Sequence, residues 1–111
     1  MRIIEFDAAR ELTHFDSRGA TIGGLARCSG HVRLSFIDLD AGGVLGLHEA
    51  VCPQLFLVVE GSGLVRSGSE EPVEIAQGRG AFWEAGELHE TTTDRGLTAI
   101  VVEAEELELL R

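Results

Sequence analysis

Lysine, asparagine and tyrosine are missing altogether from the 111 residues, and every strong base is an arginine. Without lysine there is no Schiff-base chemistry, and without tyrosine no phenolic acid or nucleophile. Cysteine is scarce too: Cys28 and Cys52 sit in separate segments and form no C-x-x-C. That leaves room for one disulfide at most and excludes a disulfide-dense secreted scaffold. The longest aliphatic and aromatic run, LFLVV at 55–59, is far too short to span a bilayer. The opening MRIIEFDAAR lacks a basic stretch followed by an apolar one, so a cytoplasmic location is expected. Positive charge is in short supply, with 9 arginines against 19 acids and a net charge of −10. Nucleic acids and anionic membranes both bind through Lys and Arg, so neither is an expected partner. Arginine use without lysine or asparagine suits a GC-rich bacterial genome.

What is present is glycine, 14 residues of it, recurring between short apolar runs in a chain that is 44% hydrophobic. This is turn punctuation for many short strands in one folded domain, residues 1–111. RIIEF reads as a first strand, and 7–18 as a polar connection able to hold a helical turn. ATIGGLARCSG gives a short strand with glycine breaks. HVRLSFIDLD puts Val32, Leu34 and Phe36 on one face and His31, Arg33 and Ser35 on the other, the mark of a half-buried strand. Past Phe36 the phase blurs, because Ile37 and Leu39 fall on the other parity. AGG at 41–43 is a turn, and Pro53 interrupts the pairing after VLGLHEA. Further extended pieces follow from Gln54, separated by EGSG, SGSEEP, QGRG, EAGE and DRG. The tail EAEELELLR reads as a strand or as acidic helical turns with a solvated face, and Leu107 and Leu109 within it offer a subunit contact. No helical period, repeat or linker is visible. The class is all-β, a sandwich or barrel.

Two spaced patterns stand out. Gly42, His48, Ala50, Gln54 and Gly61 form the first; Gly78, Glu84, Gly86, His89 and Thr93 form the second. They resemble the two motifs of the cupin family, G-x5-H-x-H-x3-4-E-x6-G and G-x5-P-x-G-x2-H-x3-N, within about residues 30–103. The resemblance implies a small antiparallel β-barrel of jelly-roll type, the double-stranded β-helix. Gly42, His48, Gly61, Gly78, Gly86 and His89 match. Ala50 stands where a second histidine belongs, Gln54 where a glutamate belongs, Glu84 for the proline and Thr93 for the asparagine. Two of four metal-ligand positions are therefore changed while the glycine frame is kept.

On a strand, positions 48 and 50 share the inward face, and so do 89, 91 and 93. His48 and His89 are then expected to meet across the barrel mouth, with Gln54 returning on the partner strand after Pro53. As a metal site this pair would take a divalent ion (Zn, Fe, Ni, Cu or Mn), with the Gln54 oxygen as a weak third ligand. As a metal-free pair it would line a polar cavity. Gln54, Phe56 and Trp83 are the ligand-binding candidates: an amide both donates and accepts, and aromatics pack or recognise. Phe82 and Trp83 fall on opposite faces of one strand, so one fills the core and the other the rim or an interface. Glu87 is the candidate for moving a proton in an enzyme. Cys52 reads as an inert turn cysteine, His14 as surface and His31 as a strand edge. Two functions stay open: a metal-dependent barrel acting on a small molecule, or a metal-free binding module. The family resemblance also implies a homodimer.

Overall fold

The structure, a computed structural model, describes residues 1–6 and 9–111. Its strands are β1 (Arg2–Glu5), β2 (Arg10–Glu11), β3 (Thr21–Ile22), β4 (Ala26–Leu39), β5 (Val44–Glu49), β6 (Gln54–Ser67), β7 (Val73–Ala76), β8 (Arg79–Trp83), β9 (Leu88–Thr92) and β10 (Leu97–Leu109). The expected helical turn is a short 3-10 segment at His14–Asp16; residues 7 and 8 of that connection lie outside the described residues. The acidic tail resolves as strand through Leu109. Among the described residues no helix is long and apolar enough to cross a membrane.

Eight of the strands form two facing layers, β2 pairs with β3 in a separate two-stranded sheet, and all pairings are antiparallel. One layer runs β1-β8-β6-β10-β4, and the other joins β5 to β9, β9 to β6 and β6 to β7. The two layers share β6, because Glu-Gly-Ser-Gly is not the strand break the sequence pattern predicts. The chain continues in strand conformation through it and bends from one layer into the other. Gly61 permits the bend: its φ is +81°, and a Cβ there would collide with the carbonyl oxygen of Gly96. Gly63 has the same constraint from the Thr92 carbonyl. The result is the jelly-roll barrel that the motif resemblance implied.

Alternation along the strands builds two apolar clusters. Inside lie Phe56, Val58, Val65, Ile75, Trp83, Leu97, Ala99 and Val101, with Ile37, Leu39 and Leu45 packed against them. Phe56 and Trp83 meet edge to face at 6.1 Å between ring centroids, the arrangement aromatic quadrupoles favour. The outer face of the five-stranded layer carries a second cluster: Ile4, Leu55 and Leu57, flanked by Phe6, Phe82, Ile100 and Val102. Trp83 thus faces in and Phe82 out.

β4 departs from the half-buried strand expected of it. Val32, Leu34 and Phe36 do share a face, but it is the outer one, and they are 48%, 69% and 70% exposed. The inner face belongs to the other parity, that of Ile37 and Leu39. Among the described residues β4 pairs with β10 alone, which leaves its far edge unpaired there. The apolar runs on both parities explain the blurred phase: this strand has something to bury on each side.

Candidate functional site

Strand register turns parity into a map of the barrel mouth. In the five-stranded layer Arg33 stands opposite Glu103, Glu103 opposite Gln54, and Gln54 opposite Trp83. All four have the inward parity of Ile37, Val101, Phe56 and Ala81. In the other layer His48 stands opposite His89, and His89 opposite Ser67. Gln54 and Ser67 are the two ends of β6, both far from its bend, so the two rows face each other at one end of the barrel. Gln54 therefore does not lie on the strand paired with β5, as the Pro53 turn led us to expect. It sits in the opposite layer, because β5 pairs with β9.

The two histidines converge. Their ring centroids are 4.2 Å apart, tilted by 52°, and the far side of His89 stacks on Trp83 at 4.4 Å and 30°. A register shift between Leu45 and His48 gives His48 the inward direction, although the two lie an odd three positions apart. Along the row, Trp83, His89 and Gln54 are buried, Glu103 is half-buried, and Arg33 and His48 are exposed. The mouth opens on the side of β4 and β5, which do not pair with each other.

Protonation of the pair follows from its partners. His48 Nδ1 lies 2.7 Å from the Gly46 carbonyl oxygen. A carbonyl only accepts, so Nδ1 carries a proton, and in the neutral tautomer the lone pair is on Nε2. His89 is held neutral: burial, then the neighbouring His48, push its pKa from 6.5 down to about 4, against an opposing pull from Glu87. Two buried polar atoms of this cluster, His89 Nε2 and Trp83 Nε1, have no hydrogen-bond partner among the described residues. Buried polar groups are usually paired, and such exceptions concentrate where something else completes them.

Glu87 is placed beside this cluster and is already engaged. Its carboxylate accepts from the Met1 amino group at 2.7 Å, from Ser67 Oγ at 2.7 Å and from the Glu84 backbone N–H at 3.0 Å. Burial alone would raise its pKa; these hydrogen bonds and the ammonium charge outweigh that and lower it. Such a carboxylate is a latch between the N-terminus, β6 and the turn before β9. Phe56 lies wholly in the core, one row below Gln54. Cys52 and Cys28 are free thiols. His31 is exposed, 4.0 Å from Glu105.

The donor set tests the implied metal. Two imidazoles are in place, one with its Nε2 lone pair directed by the Gly46 bond. Ala50 brings no ligand, Gln54 brings no charge, and the Glu87 carboxylate is spent on other partners. Among the described residues no three His, Cys, Asp or Glu side chains group as a metal site. Three surface clefts among the described residues, of about 420, 570 and 490 Å³, are lined by neither histidine of the pair nor by Gln54. The stacked Trp83 and His89 rings lie buried between the facing rows, and His48 is the exposed ring of the cluster. Sequence reasoning missed Arg33, Ser67 and the inward role of Glu103. The signal for Arg33 was its shared parity with Ile37 and Leu39.

No family model matches the chain, and no curated protein matches it. Solved structures do. A cupin superfamily protein from Desulfitobacterium hafniense aligns at TM-score 0.64 and 13% identity, over 96% of this chain and 100% of the other. An RmlC-like cupin protein from Desulfovibrio desulfuricans aligns at 0.62 and 17%, over 74% and 79%. A cupin-like protein from Thermotoga maritima aligns at 0.64 and 15%, over 71% and 64%.

Proposed function

From the premise that this chain has the cupin fold, we propose that it binds a small polar molecule at the barrel mouth through His48, His89 and Gln54. The observation that carries this reading is the pair of buried, unpartnered atoms, His89 Nε2 and Trp83 Nε1, set beside an exposed imidazole whose tautomer is fixed. Left alone, each such atom costs about 1–3 kcal/mol. A bound molecule that hydrogen-bonds to them once the rings shift to admit it recovers part of that cost. A cytoplasmic setting accompanies the proposal. A second reading has its own support: the Gly46 carbonyl leaves His48 Nε2 as a lone-pair donor, the form in which imidazole holds Zn, Fe, Ni, Cu or Mn. The same two rings would hold that ion, and it would supply charge that the neutral imidazoles lack.

One experiment separates the readings. Untagged protein purified without chelator is analysed for metal and compared with His48→Ala. We expect wild-type metal content well below one ion per chain, and a small-molecule response lost in the variant. Stoichiometric metal that disappears in His48→Ala would establish the ion reading instead.

The proposal includes a homodimer, built on the outer face of β4. Val32, Leu34 and Phe36 join Ile100 and Val102 across the β4–β10 pairing to form a contiguous apolar surface. A second copy offers the same surface about a two-fold axis, and closes it from water. Leu34→Asp with Phe36→Asp is expected to convert a dimer to a monomer in light scattering after size exclusion. Monomeric wild-type protein at tens of micromolar would remove the second copy from the proposal.

A further inference from the structure

Arg33 and Glu103 stand directly opposite each other on β4 and β10, with inward parity, at the open flank of the mouth. Neither takes part in an ion pair or side-chain hydrogen bond among the described residues. Opposite charges in that position ordinarily close on each other; here both side chains remain available. Neighbouring strands lie about 4.8 Å apart, so the row presents a cation, an anion and an amide in steps of that length, with the buried Trp83 at its inner end. The cation is the only guanidinium in the row, and Gln54 and Trp83 add neutral donors deeper in.

Resting on the reading of the mouth as a binding site, we infer that its occupant is a small carboxylate carrying a hydrogen-bond donor beside the carboxylate, a hydroxy acid or an amino acid. The guanidinium fork of Arg33 receives the carboxylate, since planar bidentate recognition is what arginine provides. The adjacent hydroxyl or ammonium donates to Glu103. The remainder of the molecule reaches Gln54 and the His48–His89 rings. A simple anion would meet Glu103 as a repulsive neighbour, and a simple cation would leave Arg33 unpaired; a molecule with both ends satisfies the row. Steric economy agrees, because Trp83 and His89 fill the interior and leave only the rim.

The chain contains one tryptophan, Trp83, in contact with His89, so its fluorescence reports directly on the mouth. The probes are lactate, alanine, propionate and lactamide at pH 7. Lactate or alanine is expected to saturate the signal at least fivefold more tightly than propionate, with lactamide inert, and comparison of the first two distinguishes hydroxyl from ammonium. Arg33→Gln is expected to weaken the best probe tenfold or more with an unchanged melting temperature, since the residue is exposed. Glu103→Gln is expected to erase the preference over propionate. An unchanged affinity in Arg33→Gln overturns the inference. Saturation by lactamide alone, lost in His48→Ala, keeps the mouth as a binding site and overturns the carboxylate class. Indifference of the wild type to all four probes overturns both.

Discussion

Trp83→Ala is expected to cost about 3–5 kcal/mol of folding stability. Trp83 is fully buried, meets Phe56 edge to face, stacks on His89, and lies across from Gln54 in the sheet. Its removal opens a cavity in the centre of a small core, where the walls are strands held in register and cannot collapse inward. Chemical denaturation should show a lower midpoint with a nearly unchanged slope. Trp83→Phe separates packing from polarity. It keeps most of the aromatic contact and deletes a buried N–H that has no protein partner. The lost volume and the removed desolvation penalty oppose each other, so this variant should lose less than about 1.5 kcal/mol. A Trp83→Phe variant as unstable as Trp83→Ala would mean that the indole nitrogen is satisfied within the fold.

Acid should unfold this protein earlier than its carboxylates alone require. His89 binds its proton at about 4 when folded and near 6.5 when unfolded. Between those values the unfolded chain holds more protons, so stability rises with pH across the window. Its contribution is complete above pH 6.5, declines as pH falls toward 4, and amounts to on the order of 3 kcal/mol. Glu87 acts in the same direction at lower pH. Its folded pKa is depressed, so its contribution holds above the ordinary carboxylate value and fades as pH falls through the folded one. The measurement is urea denaturation of chelator-treated protein at half-unit steps from pH 7.5 to 3.5. His89→Phe should flatten the segment between 6.5 and 4 and leave the lower one in place. A wild-type curve with no slope between pH 6.5 and 4.5 would show that His89 is solvated enough to titrate normally.

Much of this architecture was legible from residue order. Glycine punctuation and alternating runs pointed to an all-β sandwich or barrel, and the resemblance to the cupin motifs implied the barrel and the meeting of His48 with His89. Two kinds of information were not legible. The first was continuity: EGSG carries the composition of a turn, yet Gly61 and Gly63 there serve a bend within one strand, because Gly96 and Thr92 press against it. Local composition does not distinguish a reversal from a bend; the neighbouring backbone does. The second was the side on which a strand faces the barrel. In β4 the three strongest apolar residues, Val32, Leu34 and Phe36, face out, and Arg33 shares the inner side with Ile37 and Leu39. A rule that sends hydrophobic residues inward fails where the outer surface is itself apolar. The error hid Arg33, and with it the row that Glu103, Gln54 and Trp83 complete. Glu87 illustrates a third limit, since a carboxylate near the histidines in sequence proved to be held by the Met1 amine and Ser67.

β6 works as a tuning fork. Its two prongs end at Gln54 and Ser67, one in each wall of the mouth, and its stem is the crook at Gly61, about 20 Å away along the strand. The gape between the prong tips therefore depends in part on the angle at the far end of the molecule. A small change in the angle of the crook is magnified by the length of the arms, so aperture and chemistry can be adjusted independently.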